Sequence, residues 1–586
     1  MKSFLKSTLA GLIGSLLAII LIILLGIGII VGIASSKDKK ITVKEKSVLH
    51  LEFNEQLSDR SGINPNFQTF EIDKKLGISE ITKLLEDAAE DKNVTGVLIE
   101  PSVLLGGLAT IEEIRNALLK FKESEKFIVA YADYYTHKSY YLASTADKIY
   151  LNPAGELQFT GLSAQIMFFK SMLEKIGVEP VIIRHGKFKS AVEPFMMNSM
   201  SEANREQTIK YVGSLWNSFL KGISKQRGIS IDRLNTLADS LYISSSKMAL
   251  EHQMVDGLLY KDEVTKELKK LTETKQKKEL RLLTLKDYSK AENRNEKEEA
   301  KEFVSDKIAV IYVEGNIVSG ESSDGKIGSK SLAKEIKKAR KDSSVKAIVL
   351  RVNSPGGSAL ASEVIWRETV LAQKEKPFII SMGDVAASGG YYIACAADTI
   401  VAQPNTITGS IGVFGLLFNT EELMNTIGIN ADVVTTNSYS DIGNPARKMT
   451  DYERETIQNS VEGVYDTFIT HVAKGRNMTK AQVDAIGQGR VWSGEDALEI
   501  GLVDVHGGLN TAIQIAKEKA GDGEYRIKAY PEKEKFEKMM EEFSAQAKVA
   551  ISKEQTGFLY KYIKKLSNLN QAQGIQARLP YFIEIN

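Results

Sequence analysis

The chain of 586 residues holds a single cysteine, Cys395, so no internal disulfide framework can exist. It has six histidines, and none falls in an HExxH pair or a Cys/His cluster. A zinc enzyme is therefore excluded as a first reading, and no metal or cofactor is expected. Charge of either sign is not in excess: 76 Lys+Arg against 75 Asp+Glu leave a formal net charge of +1. A bulk electrostatic case for nucleic acid is thus missing, and no nucleic-acid partner is expected. The GxSxG elbow of the α/β-hydrolases is absent as well. Hydrophobic residues at 43% and charged residues at 26% are ordinary for a folded protein, and the length predicts two or more domains.

One long hydrophobic run is present. No charged residue stands between Lys6 and Lys37, and most positions from Leu9 to Ala34 are apolar. A membrane-crossing helix needs about 20 apolar residues, whereas a cleaved signal has a core of roughly 7–15. Residues 1–40 are therefore expected to be an uncleaved single-pass anchor. Lys2 and Lys6 precede the run and Lys37, Lys39 and Lys40 follow it, so charge alone does not set its orientation.

The rest of the chain is written twice. FIVAYADYYTHKSYYLASTADKIYLNP (Phe127–Pro153) matches FIISMGDVAASGGYYIACAADTIVAQP (Phe378–Pro404). Asp133 and Asp384, Tyr140 and Tyr391, Asp147 and Asp398, and Pro153 and Pro404 each stand 251 positions apart. Upstream, GVLIEPSVLLGG (Gly96–Gly107) echoes AIVLRVNSPGG (Ala347–Gly357); downstream, KMALEHQMVDGL (Lys247–Leu258) echoes EDALEIGLVDVH (Glu495–His506). In each copy short apolar runs alternate with helix-length segments, which predicts an α/β layered fold with mostly parallel strands. The copies are expected over 45–285 and 305–530. A charged linker (286–304) is expected between them, and a helical tail (531–586), helical around Phe536–Ala550, after them.

In such sheets ligands bind beyond the C-terminal ends of strands. Two segments occupy that position: NSPGGS (Asn353–Ser358) and the loop holding Ser388 in AASGG. A serine between a strand and a helix stands beside free N–H groups. The N–H of Gly389, with that of Gly356 or Gly357, can form an oxyanion hole, where each donor is worth about 10²–10³ in rate. Taken alone, SGG is more often a tight turn packing a helix on a sheet. Ser354 and Ser358 compete as hydroxyls, although Ser358 also reads as a helix cap.

No histidine lies near Ser388 in sequence. The repeat places His137 at the matching position of the first copy, so that copy cannot run serine chemistry by itself. Conversely, the first copy carries RHGKFKSAVEPF (Arg184–Phe195), and the second has Ser440 where the first has Lys189. Lysine in one copy and serine in the other is a complementary pattern. A neutral lysine can act as a general base, but its free pKa is about 10.4 and only burial lowers it enough. On spacing alone these lysines read as solvated. Glu193 could pair with either Lys189 or Lys187.

LRVNSPGGS, MGDVAASGGYYIA, TGSIGVFG, GRVWSGEDALEIGLVD and GKFKSAVEPF together resemble the signal peptide peptidase A (protease IV) family in its long, duplicated form. The resemblance runs from the anchor to about residue 530. It implies tandem ClpP/crotonase-like domains built of β-β-α spiral units, and a membrane-anchored serine protease. Carried over by motif, Ser388 is the nucleophile, Lys189 the general base and Ser410 a lysine-orienting serine, with Gly356, Gly357 and Gly389 at the oxyanion hole. It also implies signal-peptide substrates, a plasma-membrane location with extracytoplasmic catalytic domains, and a homotetramer. Two other readings are carried: a crotonase-like acyl-CoA enzyme, and a non-catalytic membrane scaffold. Cys395, Trp492 and His137 are expected to be packing residues.

Overall fold

The computed structural model describes residues 41–53, 56–66, 71–101, 104–291, 304–323, 325–531 and 575–579, with a few positions between 11 and 21. The expected anchor lies almost wholly outside the described residues. Among the described residues no helix is long and apolar enough to cross a membrane. The expected helix at 536–550 also lies outside them.

The first copy forms a six-stranded sheet in the order Gly257–Leu258, Lys148–Leu157, Phe127–Tyr135, Val94–Glu100, Ser47–Glu52, Leu282–Thr284, with every pair parallel. Successive side chains on a strand face opposite ways, and the two faces bury different partners. Leu49, Leu51, Val97 and Ile99 pack with Leu84, Ile114 and Leu118 from the helices Ile78–Glu90 and Leu108–Lys122. Val48, Leu98 and Val129 pack with Val264 and Leu268 from Lys261–Leu271. A parallel sheet covered on both faces explains why its strands read as continuous apolar runs.

The second copy repeats this plan. Arg526–Tyr530, Lys307–Glu314, Val345–Ser354 and Phe378–Ala387 are parallel neighbours, and Thr399–Ala402 and Ile407–Gly409 both pair with the last of these. Its strands run on into a smaller layer, so that Val345–Ser354 leads to Gly356–Ser358 and then to the helix Ala359–Gln373. This is the expected strand–strand–helix unit. The duplication extends to individual hydrogen bonds. The hydroxyl of Tyr140 donates to Met254 O at 2.7 Å, and that of Tyr391 to Leu502 O at 2.9 Å. Ile149 N donates to Asp256 and Ile400 N to Asp504, both at 2.7 Å.

The copies are locked together by exchanged carboxylates. Asp384 of the second copy accepts from Gly107 N, Thr110 N and the Thr110 hydroxyl, at the start of the first-copy helix Leu108–Lys122. Glu113 of that helix accepts from Leu509 N at 2.9 Å, at the start of the second-copy helix Leu509–Ala520. Each copy thus satisfies orphan N–H groups of the other. Between them Arg351, 1% exposed, reaches Asp59 at 2.7 Å and Glu113 at 2.6 Å.

A third sheet is shared. Its order is Lys326–Gly328, Asn316–Val318, Gly356–Ser358, Ile575–Arg578, Val413–Asn419, Glu179–His185. The first-copy strand Glu179–His185 runs antiparallel to Val413–Asn419 over seven pairs, which brings the GKFK loop into the second copy. The tail departs from its expected helical character here, because Ile575–Arg578 is a strand. An extended segment between two strand edges gains ladder bonds on both sides, which a helix there would forgo.

Candidate active site

Ser388 stands where strand Phe378–Ala387 gives way to helix Gly389–Ala394. Its φ of 56° and ψ of −112° lie outside the regions that an L-residue prefers. Such backbone costs of order 1–3 kcal/mol and persists only where the surroundings impose it. Here Ser388 N donates to Gly409 O at 2.8 Å, and Ser388 O accepts from Tyr392 N at 2.8 Å. Ser410, in the neighbouring loop, also has a positive φ, 49°.

Lys189 arrives from the first copy, just after strand Glu179–His185. Its Nζ lies 2.8 Å from Ser388 Oγ, 3.0 Å from Ser410 Oγ and 3.0 Å from Ser410 O. All three residues are fully buried. Burial holds the Lys189 amine well below the ordinary lysine range. Among the described residues no carboxylate forms an ion pair with it. Glu193 pairs with neither lysine of the motif; it accepts from Ser201 N, the Ser201 hydroxyl and Asn204 Nδ2, and faces Arg184 at 3.8 Å. Lys187 is exposed, its ammonium 5.1 Å from the centroid of the Phe188 ring.

Sequence reasoning left one part of this enclosure without a role. The loop Gly487–Arg490 of the second copy wraps the lysine. Phe188 N donates to Gln488 O at 2.9 Å, Gly489 N to Ile411 O at 2.6 Å, and Ser410 N to Arg490 O at 2.6 Å. A Cβ on Gly489, whose φ is 83°, would lie 2.6 Å from the Lys189 backbone. The GQG spacing was the available signal, since glycine is what permits so close an approach.

The glycines gather beside the serine. A Cβ on Gly356 would lie 2.6 Å from Gly389 N, so no larger residue fits there. Gly356 N itself donates to Ser354 Oγ at 3.2 Å, while Gly357 is paired in the shared sheet with Ile317 on one side and Ala577 on the other. Ser354 is occupied structurally, its hydroxyl donating to Gly315 O at 2.6 Å. Ser358 caps the helix that follows it, accepting from Ala361 N.

The three expected packing residues are buried. His137 Nε2 accepts from Thr160 N at 3.0 Å, amid Phe159, Trp216 and Phe219, and burial pushes its pKa down to about 4. Cys395 is enclosed, and burial raises its thiol to about 12. Trp492 donates to Ile486 O at 2.9 Å and lies under Arg490.

Comparison with known proteins bears on the family. The family model of peptidase family S49 matches residues 120–275 and 371–522, and that of Clp protease matches 298–408. The chain is 38% identical to Protease 4 of Haemophilus influenzae over 76% of this chain and 74% of that one. It is 38% identical to Protease 4 of Salmonella typhi (77% and 73%) and 34% identical to the chloroplastic serine protease SPPA of Arabidopsis thaliana (82% and 70%). Matched in both of its copies and over most of the length of these relatives, the chain belongs to peptidase family S49 and is a serine protease.

Proposed function

We propose that the protein is a membrane-anchored endopeptidase that degrades signal peptides left after their release from secreted proteins, through a Ser388–Lys189 dyad. The observation that carries this reading is the 2.8 Å approach of Lys189 Nζ to Ser388 Oγ, in full burial and from opposite copies.

Counting protons makes the roles specific. A neutral amine has two N–H donors and one lone pair. Ser410 offers two acceptors, its carbonyl and its hydroxyl oxygen, each 3.0 Å from Nζ. With both N–H groups directed there, the lone pair faces the Ser388 hydroxyl and can take its proton. Ser388 Oγ attacks the peptide carbonyl carbon, and the developing oxyanion accepts from Gly357 N–H and Gly389 N–H. Lys189 then passes the proton to the leaving nitrogen as the C–N bond breaks. Water, deprotonated by Lys189, hydrolyses the acyl ester. Desolvation of the lysine is what makes a base of it near neutral pH.

The apolar run at residues 9–34 supplies the anchor, and signal peptides, themselves apolar segments, are delivered in the same bilayer. This reading places the catalytic copies on the extracytoplasmic side of the plasma membrane, as a homotetramer. The test is hydrolysis of a peptide ester and of a synthetic signal peptide by the full chain in detergent micelles. Ser388→Ala and Lys189→Ala should fall to background while Lys187→Ala keeps wild-type rates. Loss in Lys187→Ala with survival of Lys189→Ala would reverse the assignment of the base. CoA-thioester turnover without peptide hydrolysis would favour an acyl-CoA enzyme.

A further inference from the structure

Lys189 is enclosed by the loop Gly487–Arg490, and the contact is backbone against backbone. A Cβ on Gly186 would lie 2.4 Å from Gln488 O, just as one on Gly489 would lie 2.6 Å from the Lys189 backbone. Gln488 itself has a φ of 51°, which an L-residue holds only where its surroundings impose it. Helix Asp451–Arg476 imposes it. Tyr465 of that helix, 3% exposed, accepts from Gln488 N at 3.1 Å and donates to Asp484 Oδ1 at 2.6 Å. Gln488 Nε2 donates to the other oxygen of Asp484 at 3.1 Å. A phenol donates and accepts at once. Here the carboxylate receives its O–H and leaves a lone pair turned to the loop. The ring is set from the first copy. His185 stacks on it, with centroids 3.8 Å apart and planes 24° apart, and its Nδ1 bonds Glu462 at 2.5 Å.

The duplication supplies a control. Helices Glu202–Arg227 and Asp451–Arg476 are both 26 residues long and start 249 positions apart. At that offset Trp216 matches Tyr465 and Asn235 matches Asp484. Trp216 Nε1 donates to Asn235 at 2.9 Å, as Tyr465 donates to Asp484. The pair is thus also present in the copy that lacks the serine, where it is a structural contact. An indole nitrogen only donates, so Trp216 cannot hold a loop amide. Gly213 matches Glu462, so the first copy also lacks the carboxylate that pairs with the stacked histidine. What the second copy adds is an acceptor aimed at the loop over the lysine, and a clamp on the ring that carries it.

We propose that Tyr465 is a positioning residue for the base: its hydroxyl, oriented by Asp484 and by the His185–Glu462 clamp, holds the loop Gly487–Arg490 closed and keeps water from the Lys189 amine. The proposal rests on the reading of Lys189 as general base. Tyr465 bonds neither Lys189 nor Ser388; it acts through the loop. With the loop shut, the charged form of the amine is penalised by burial and the neutral form can accept a proton. Once the loop opens, water solvates the ammonium, that penalty falls, and the amine returns toward ordinary lysine behaviour. Tyr465 therefore sets the pH at which the enzyme works, rather than the rate of the chemical step once the lysine is neutral.

The test is peptide-ester kcat/KM as a function of pH on the full chain in detergent, for wild type and Tyr465→Phe, which keeps the ring and loses the hydroxyl. The rising limb should move up by about one pH unit, so that activity below the limb falls about tenfold while the alkaline plateau stays within about threefold of wild type. Amide hydrogen exchange over residues 486–490 should quicken in the same variant. Asp484→Asn and His185→Gln should move the limb in the same direction by less, and they carry the test if Tyr465→Phe fails to fold. A limb left in place with a lowered plateau means that Tyr465 is merely structural, and overturns the proposal. So does quickened exchange without movement of the limb, or no change in either. A wild type whose activity shows no rising limb, or an active Lys189→Ala, sinks the assignment of the base first.

Discussion

Ser410→Ala removes one of the two acceptors that fix the N–H groups of Lys189. The carbonyl acceptor remains and the proposed nucleophile Ser388 is untouched, so the change isolates orientation of the proposed base. The amine is fully buried, so bulk water does not replace the lost hydroxyl. An unmet donor in such a place costs about 1–3 kcal/mol. At about 1.4 kcal/mol per factor of ten, kcat should fall roughly 5- to 150-fold. KM for a short peptide ester should change little, since no substrate contact is lost. The hydroxyl also stabilises the charged amine by accepting from it, so its removal should move the rising limb of the kcat profile to lower pH. Ser410 has a φ of 49°, so Ser410→Gly serves as the partner variant. It loses the same hydroxyl but no longer holds a side chain in left-handed backbone. The two variants should share the kinetic defect and differ in Tm. Steady-state kinetics across pH on both decide the matter. A kcat within twofold of wild type, or a defect confined to Ser410→Ala and absent from Ser410→Gly, would refute the proton count given above.

The lysine itself makes a thermodynamic prediction. Its folded pKa lies well below 10.5, so between those two values the unfolded chain binds the extra proton and stability rises with pH. Lys189→Met should therefore be inactive yet more stable than wild type at neutral pH, and the gap should narrow as pH approaches 10.5, as read by denaturant titration. In wild type kcat/KM should rise with pH through the folded lysine pKa and then level. Gly489→Ala would press a methyl group on the Lys189 backbone at 2.6 Å and strain a φ of 83°; activity should drop by more than tenfold, and stability by about 1–3 kcal/mol. Arg351→Ala leaves Asp59 and Glu113 buried without their cation, at a cost of about 3–5 kcal/mol, and thermal unfolding should show it.

Much of the architecture was legible because parallel strands covered on both faces must be apolar throughout, and because the chain states its plan twice. AIVLRV and FIISM lie inside observed strands; the repeat set a lysine in one copy against a serine in the other, and the family resemblance assigned them as Lys189 and Ser388. Their meeting was implied by repeat and resemblance but was not legible in the spacing. It depends on the antiparallel pairing of Glu179–His185 with Val413–Asn419, a long-range contact that leaves no periodicity in either segment. Glu193 illustrates the limit well. Two lysines nearby in sequence suggested an ion pair, but its partners are the N-terminal residues of the next helix. The tail misled by composition: a charged, amphipathic stretch reads as helix, whereas Ile575–Arg578 takes its conformation from the edges on either side. The exchange of the carboxylates Asp384 and Glu113 left no signal in the sequence, because each caps a helix of the other copy.

The 199 residues separating Lys189 from Ser388 also set an order of events during synthesis. At about 5–20 residues per second, the serine leaves the ribosome roughly ten to forty seconds after the lysine. The loops that enclose the lysine, at Ser410–Gly412 and Gly487–Arg490, come later still. Until they close, its amine is hydrated, protonated and unable to accept anything. A nascent or prematurely terminated chain therefore carries Lys189 without Ser388, or Ser388 without an enclosed Lys189. On the proposed Ser388–Lys189 dyad, hydrolysis requires that translation has passed residue 490 and that both copies have docked, so half-finished forms are expected to be inactive.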